Sequence, residues 1–145
     1  IFNYGFRENS GGLGKFRGGV GLYREYTINT DGFVSLWFER SVTPAWGLFG
    51  GKDGLPPNVN IKIPNEEEEN LLKANGLQIK NGTVLTTYTG GGGGFEEPLE
   101  RDPENVLDDV KNRYVTIEKA KEDYKVSITS DLKIDQNSTD KLRKN

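Results

Sequence analysis

Thr89-Gly90-Gly91-Gly92-Gly93-Gly94-Phe95-Glu96-Glu97-Pro98 divides a front with β periodicity from a back with helical periodicity. Each glycine gives up more backbone freedom on ordering than any other residue, so an ordered run of five implies positive-φ turns or a surface that approaches the backbone closely. A flexible linker is the competing reading. Phe95 and Pro98 oppose it, because a large apolar ring and a φ-locked residue straight after the glycines describe an anchored loop exit. The expectation is a run ordered by contact with another polypeptide.

Upstream, Leu77-Gln78-Ile79 and Val84 to Tyr88 read as strands joined by Asn81-Gly82, a strong hairpin signal. Val59-Asn60-Ile61-Lys62-Ile63 alternates cleanly and is closed by Pro64. The acidic run Glu66 to Glu69 reads as a solvated excursion, since adjacent carboxylates repel and a calcium loop spaces its ligands around a glycine. Val20 to Ile28 and Phe33 to Glu39 form two further strands. The Asn29-Thr30-Asp31-Gly32 turn between them predicts a second hairpin. Trp37 and Phe38 read as core or face packing, because neighbours on a strand point to opposite sides.

Two more glycine-rich segments flank these strands. Pro44 to Gly54 carries Trp46, Leu48 and Phe49, which either plug the core, the favoured reading, or face a partner. Ser10 to Gly19 invites comparison with a phosphate cradle. Lys15 is followed by Phe16 and Lys52 by Asp53, where a P-loop needs Ser or Thr, and the segment leads into a β pattern and not a helix. Lys15 and Arg17 beside backbone amides remain able to hold a carboxylate or phosphate. Residues 1 to 8 show no clear periodicity.

Behind the glycines the period changes. Asp102 is a good N-cap with Pro103 at the first helical position, and Val106, Leu107, Val110 and Tyr114 share a face. Thr116 caps a second helix with Ile117, Ala120 and Tyr124 on its apolar side. Val126 to Thr129 is a candidate short strand. From Ser130 onward only Leu132, Ile134 and Leu142 offer apolar surface, which predicts a loosely held tail.

Composition bounds the function. The chain has 145 residues, no cysteine, no histidine and a formal charge of -3. One domain fits that length. No electrostatic footprint for nucleic acid exists, and no apolar run nears the roughly 18 residues that span a bilayer. A soluble, cytoplasmic protein is expected. Without histidine, a zinc site or a His-based triad within this chain is excluded, and no metal site is expected. The chain starts at Ile1 and contains no methionine, which reads as a processed piece or a fragment of something longer.

Together these segments resemble the C-terminal part of the B-type subunits of the hydantoinase and 5-oxoprolinase family, which includes acetone and acetophenone carboxylases. Ser10 to Gly19 is similar to that family's S-G-G-x-G-K/R-x-R-G-G element, Pro44 to Gly51 to its P-P-x-G-L-F-G-G loop, and Gly91 to Pro98 to its T-P-G-G-G-G-Y-G-D-P element. Arg101-Asp102-Pro103 falls on the family's R-D-P. Gly90 stands where the family usually has proline, and Glu96, Arg113 and Lys125 where it has or tends to have glycine. The tail after Thr129 lies beyond the resemblance.

The expected fold is α+β: an antiparallel β-rich barrel or sandwich followed by two C-terminal helices. It divides into a domain over 1–129 (β region 1–89, glycine-rich loop 90–98, helical region 99–129) and a polar tail over 130–145. The resemblance implies a piece of an ATP-dependent cyclic-amide hydrolase or ketone carboxylase, with ATP, magnesium and a divalent metal in partner polypeptides and no cofactor in this chain. The implied partners are the N-terminal part of the B-type subunit and an A-type ATP-binding subunit, in a hetero-oligomer. The chain then supplies scaffold and pocket walls and is not catalytic alone; no catalytic residue is assigned. Candidate pocket or interface residues are Gly11, Gly12, Gly14, Lys15, Arg17, Gly18, Trp46, Phe49, Gly91, Gly92, Gly93, Gly94 and Phe95. A stand-alone β-rich interaction module is the alternative.

Overall fold

Alternating apolar side chains place Val59 and Ile61 of β4 (Asn58–Lys62) and Leu85 of β7 (Thr83–Tyr88) on one buried face. Leu36 of β3 (Gly32–Trp37) and Ile79 of β6 (Lys73–Ile79) close over them from a second sheet. Each fully buried aliphatic side chain here contributes about 1.5–3 kcal/mol. The computed structural model describes residues 3–144. Its larger sheet runs β1-β2-β7-β4-β5, with β1 at Asn3–Arg7, β2 at Gly21–Ile28 and β5 at Glu69–Asn70; β3 and β6 form the smaller one. All pairings between named strands are antiparallel. The α+β expectation holds, and of barrel and sandwich the structure takes the sandwich-like form.

Neither expected hairpin forms. β2 pairs with β1 and β7, and β6 pairs with β3. The two turns carry the chain from one sheet to the other and bind each other: the Asn81 amide donates to Asp31 Oδ1 at 2.8 Å, and the Gly82 amide to the Ile28 carbonyl at 2.7 Å. Turn chemistry specifies a reversal, but the burial of Val34 and Leu36 against the opposite sheet decides which strand becomes the neighbour. Residues 3–7, without periodicity in the sequence, form the edge strand β1, with Tyr4 and Phe6 exposed.

A second core belongs to the helices. α1 (Pro103–Lys111) is capped by Asp102, whose carboxylate accepts from the Glu104 amide at 2.8 Å, and α2 (Ile117–Asp123) by Thr116, which accepts from the Lys119 amide at 3.3 Å. Val106, Val110, Val115, Ala120, Tyr124 and Val126 pack together, and Leu13 reaches in from the first glycine-rich segment.

The tail differs from its expectation. Gln136–Lys144 forms a third helix, α3, and Ile128 and Ile134 make an antiparallel bridge just before it. Hydrogen bonds hold this segment where apolar burial is scarce. Thr139 is buried and its hydroxyl accepts from the Ser127 amide at 3.0 Å; Arg143 donates to the carbonyls of Arg101 at 2.8 Å and Tyr124 at 3.2 Å. Asp135 accepts from the Ser138 hydroxyl at 2.7 Å and its amide at 3.0 Å, which lowers its pKa from the usual carboxylate value.

Glu96, Arg113 and Lys125, which stand where the resembling family has glycine, have φ of +62°, +60° and +56°. Side chains with a Cβ lose about 1–2 kcal/mol in this left-handed region. Lys125→Gly is expected to raise stability by about 0.5–1 kcal/mol, the released strain exceeding the added freedom of the unfolded chain. Urea denaturation of the full chain measures this; a lowered midpoint would show that Lys125 is unstrained.

Candidate functional site

The five glycines thread between the other two glycine-rich segments. The Gly92 amide donates to the Gly19 carbonyl and its carbonyl accepts from the Gly12 amide, both at 2.8 Å. The Gly94 amide donates to the Lys52 carbonyl and its carbonyl accepts from the Leu48 amide, both at 2.9 Å. Lys52 in turn donates to Leu13, at 2.7 Å, and so joins the flanking segments directly. A Cβ added at Gly91 would lie 1.8 Å from Ser10 O, at Gly93 1.9 Å from Trp46 O, and at Gly94 1.9 Å from Leu13 O.

None of the five has a positive φ, so close approach and not turn geometry explains them. The run is therefore no free linker, and its own chain, not another polypeptide, orders it. Gly11, Gly12, Gly14 and Gly18 belong to the same packing: their added Cβ atoms would meet backbone atoms of Gly18, Lys52, Phe95 and Gly92 at 2.0–2.6 Å. Buried Ser10 ties this unit to the larger sheet, donating from its hydroxyl to the Arg7 carbonyl and accepting from the Gly21 amide at 2.7 Å.

Arg17 turns inward. Its guanidinium lies 5.0 Å from the Tyr114 ring centroid and pairs with Asp109 at 3.2 Å. Arg101 pairs with the other Asp109 oxygen at 2.9 Å and donates to the Lys15 carbonyl at 2.8 Å. The carboxylate that Arg17 holds thus comes from α1. Removing it would leave two guanidinium groups largely buried and short of a partner, the situation that costs about 3–5 kcal/mol in comparable pairs. Sequence reasoning gave Asp109 no role at this site; the signal was an acid on the apolar face, one turn after Val106 and next to Val110. Beside this cluster the fully buried Tyr124 hydroxyl has its pKa raised to about 12 by burial.

Lys15 faces the surface, paired with Glu96 at 3.0 Å and Glu100 at 3.3 Å. Hydrogen bonds to Glu96 first, then Glu100, raise its pKa. Phe16, Trp46, Leu48, Phe49 and Phe95 are exposed, which corrects the favoured reading of Trp46, Leu48 and Phe49 as core; the Arg40 guanidinium lies 5.4 Å from the Trp46 ring centroid. Phe95 bridges Phe16 and Leu48 through its backbone, and its ring meets Phe49 edge-on at 5.2 Å between centroids. Trp37 is exposed too, while Phe38 packs on the sheet core.

Two cavities adjoin the glycine unit. One, of about 360 Å³, is bounded by Trp37, Arg40, Pro44, Pro57, Gly90 and Gly91. The other, of about 340 Å³, lies between Gly11, Leu13, Lys52, Asp53, Val115 and Lys119. Among the described residues no group of three or more Asp or Glu side chains is placed to hold a metal ion. No described helix is long and apolar enough to cross a membrane.

The chain belongs to the hydantoinase B/oxoprolinase family, whose model matches residues 1–98. An uncharacterized protein of Methanocaldococcus jannaschii is 36% identical over 146 residues, covering 99% of this chain and 26% of that protein. The B subunit of a putative D-/L-hydantoinase from Pseudomonas sp. (strain NS671) is 35% identical over 147 residues, covering 99% and 25%. The crystal structure of the ATP-dependent caprolactamase from Pseudomonas jessenii superposes with a TM-score of 0.77 at 27% identity, covering 100% of this chain and 26% of that one. The likeness therefore continues through the tail that the motifs left out. The chain spans about a quarter of the length of these relatives.

Gly93→Ala is expected to destabilise the chain by about 3 kcal/mol or more, because the backbone around Trp46 must move to admit the methyl group. Gly19→Ala, with nothing within 4 Å of its added Cβ, is the control expected to fold normally. Equal unfolding midpoints for the two variants in urea would refute the packing account.

Proposed function

We propose that this chain is the C-terminal portion, or a separately encoded small subunit, of an ATP-dependent hydantoinase/oxoprolinase-type amidohydrolase or a related ketone carboxylase. It supplies scaffold and pocket walls and is not catalytic alone. Its partners are the N-terminal part of the B-type subunit and an A-type ATP-binding subunit, and those polypeptides hold ATP, magnesium and a divalent metal. The observation that carries this reading is the exposed aromatic face of Phe16, Phe49 and Phe95, built on the glycine unit. A contiguous apolar face of this kind marks a surface that another polypeptide covers. Gly90, Gly91 and Gly11 line the two cavities and are the glycines available as pocket walls, Gly91 and Gly11 sharing with Gly12, Gly14, Gly18, Gly93 and Gly94 the packing that holds the loops together.

The chemistry suits such a division of labour. Amide and enol oxygens are poor leaving groups, and phosphorylation by ATP makes subsequent attack or elimination feasible. Lys15 and Arg17 are not free for such steps: one is held by Glu96 and Glu100, the other by Asp109.

The test is to reconstitute the assembly with and without this chain and measure ATP hydrolysis stimulated by a hydantoin, a lactam or a ketone. Stimulated hydrolysis is expected only when the chain is present, and none from the chain alone. Full turnover without it, or turnover by the purified chain, would overturn the reading. A monodisperse 16.2 kDa monomer in native mass spectrometry of the source extract would favour a stand-alone interaction module instead.

A further inference from the structure

Phe49 combines two properties that a folded chain normally avoids. It has φ of +51°, in a region where a bulky side chain is an outlier, and its side chain is largely in water, with 76% of the residue exposed. Nothing in the interior gains from this. Gly50, at φ +96°, continues the turn, and the Gly51 amide closes it on the Leu48 carbonyl at 3.0 Å. The turn stands on the glycine unit through Leu48, whose amide donates to Gly94 and whose carbonyl accepts from the Glu96 amide, both at 2.9 Å. Glu96, at φ +62°, is the second left-handed residue of the same surface. Two unfavourable backbone conformations are thus held side by side by a rigid support, and the result is an outward-facing aromatic ring. Strain retained in this way points to function.

The surroundings of the ring define what it fits. Phe95 supports it edge-on at 5.2 Å, and Phe16 lies 6.2 Å beyond, so the centre of the surface is aromatic. The rim is acidic: Glu96 and Glu100 share Lys15, and the Glu97 side chain lies directly over Gly50, where an added Cβ would meet it. Three carboxylates therefore stand against one ammonium group. An aromatic centre inside a polar rim is the anatomy of a protein interface whose energy is concentrated in a few anchors.

We infer that Phe49 is the anchor of this surface and inserts into an apolar pocket with a basic rim on the remainder of the B-type polypeptide. This rests on the reading given under Proposed function. That occupant follows from two observations. Relatives matched over 99% of this chain are about four times as long, so in them about three quarters of the polypeptide lies outside the matched region and is covalently available to cover such a surface. The surface is also built by the segments the family model covers, since Phe16, Phe49 and Phe95 all lie within residues 1–98.

The experiment measures affinity of the full chain for the B-type and A-type polypeptides of the same source, each purified and assayed separately. Variants are Phe49→Asn, which suits the left-handed turn but removes the ring, and Glu97→Lys, which reverses a rim charge. Phe33→Asn alters a comparably exposed ring on β3 as a control. Phe49→Asn is expected to weaken binding to the B-type polypeptide roughly thirtyfold while leaving the urea midpoint of the chain unchanged or raised. Glu97→Lys is expected to weaken it most at low salt, and Phe33→Asn to leave it unchanged. Unaltered affinity in Phe49→Asn would overturn the anchor while the functional reading stands. Binding only to the A-type polypeptide, or only to a second copy of this chain, would overturn the partner assignment. No binding of the unmodified chain to either polypeptide would remove the functional reading itself.

Discussion

Backbone packed directly on backbone is the constraint on which the rest of this structure depends. At Gly91, Gly93 and Gly94 the space for a side chain is already taken by carbonyl oxygens of Ser10, Trp46 and Leu13. Those three oxygens belong to two other segments, so the run is a shared wall and not a local turn. From this wall Leu13 enters the helical core, Ser10 fastens the edge of the larger sheet, and Arg17 reaches Asp109 on α1. Sheet and helices meet through this glycine backbone and the buried Asp109 carboxylate, and beside them through Phe6 of β1, edge-on to Tyr114 at 5.2 Å, and Asn9, whose amide donates to the Tyr114 carbonyl at 2.9 Å.

That arrangement explains why the surface is so apolar. Segments whose interior is filled by backbone have no room inside for Phe16, Leu48, Phe49 or Phe95, and these apolar side chains collect outside. The sandwich core is complete without them, as is the helical core. In the proposed assembly these side chains become core when another polypeptide covers them, so that docking would complete the packing.

Local signals in the sequence carried over where the physics is local. Asp102 and Thr116 cap helices because a side-chain oxygen next to free amides needs no distant partner, and β2, β3, β4 and β7 follow alternation with small shifts at their ends, while β6 begins at Lys73, four residues before the Leu77 start that the sequence suggests. What was not legible is set by contacts far apart in the chain. Asp31-Gly32 and Asn81-Gly82 turn the chain, but the pairing of each strand depends on the opposite sheet. The tail has few apolar residues, and much of its order comes from hydrogen bonds to distant backbone, with Thr139 accepting from the Ser127 amide and Arg143 donating to the Tyr124 carbonyl. Glu96, Arg113 and Lys125 were legible in another way: positions where the resembling family has glycine proved to be positions of left-handed backbone.

Hydrogen exchange at the amides of Gly12, Gly92 and Gly94 tests the central claim most directly, because these donors bind only across the three glycine-rich segments. If those segments form the unit that joins sheet to helices, these amides exchange only when the whole chain unfolds, with the same protection as Leu85 in β7 and Val110 in α1. Exchange far faster than at Leu85 and Val110 would mean that the glycine segments open independently, and the sheet and helices would then be held together by something else.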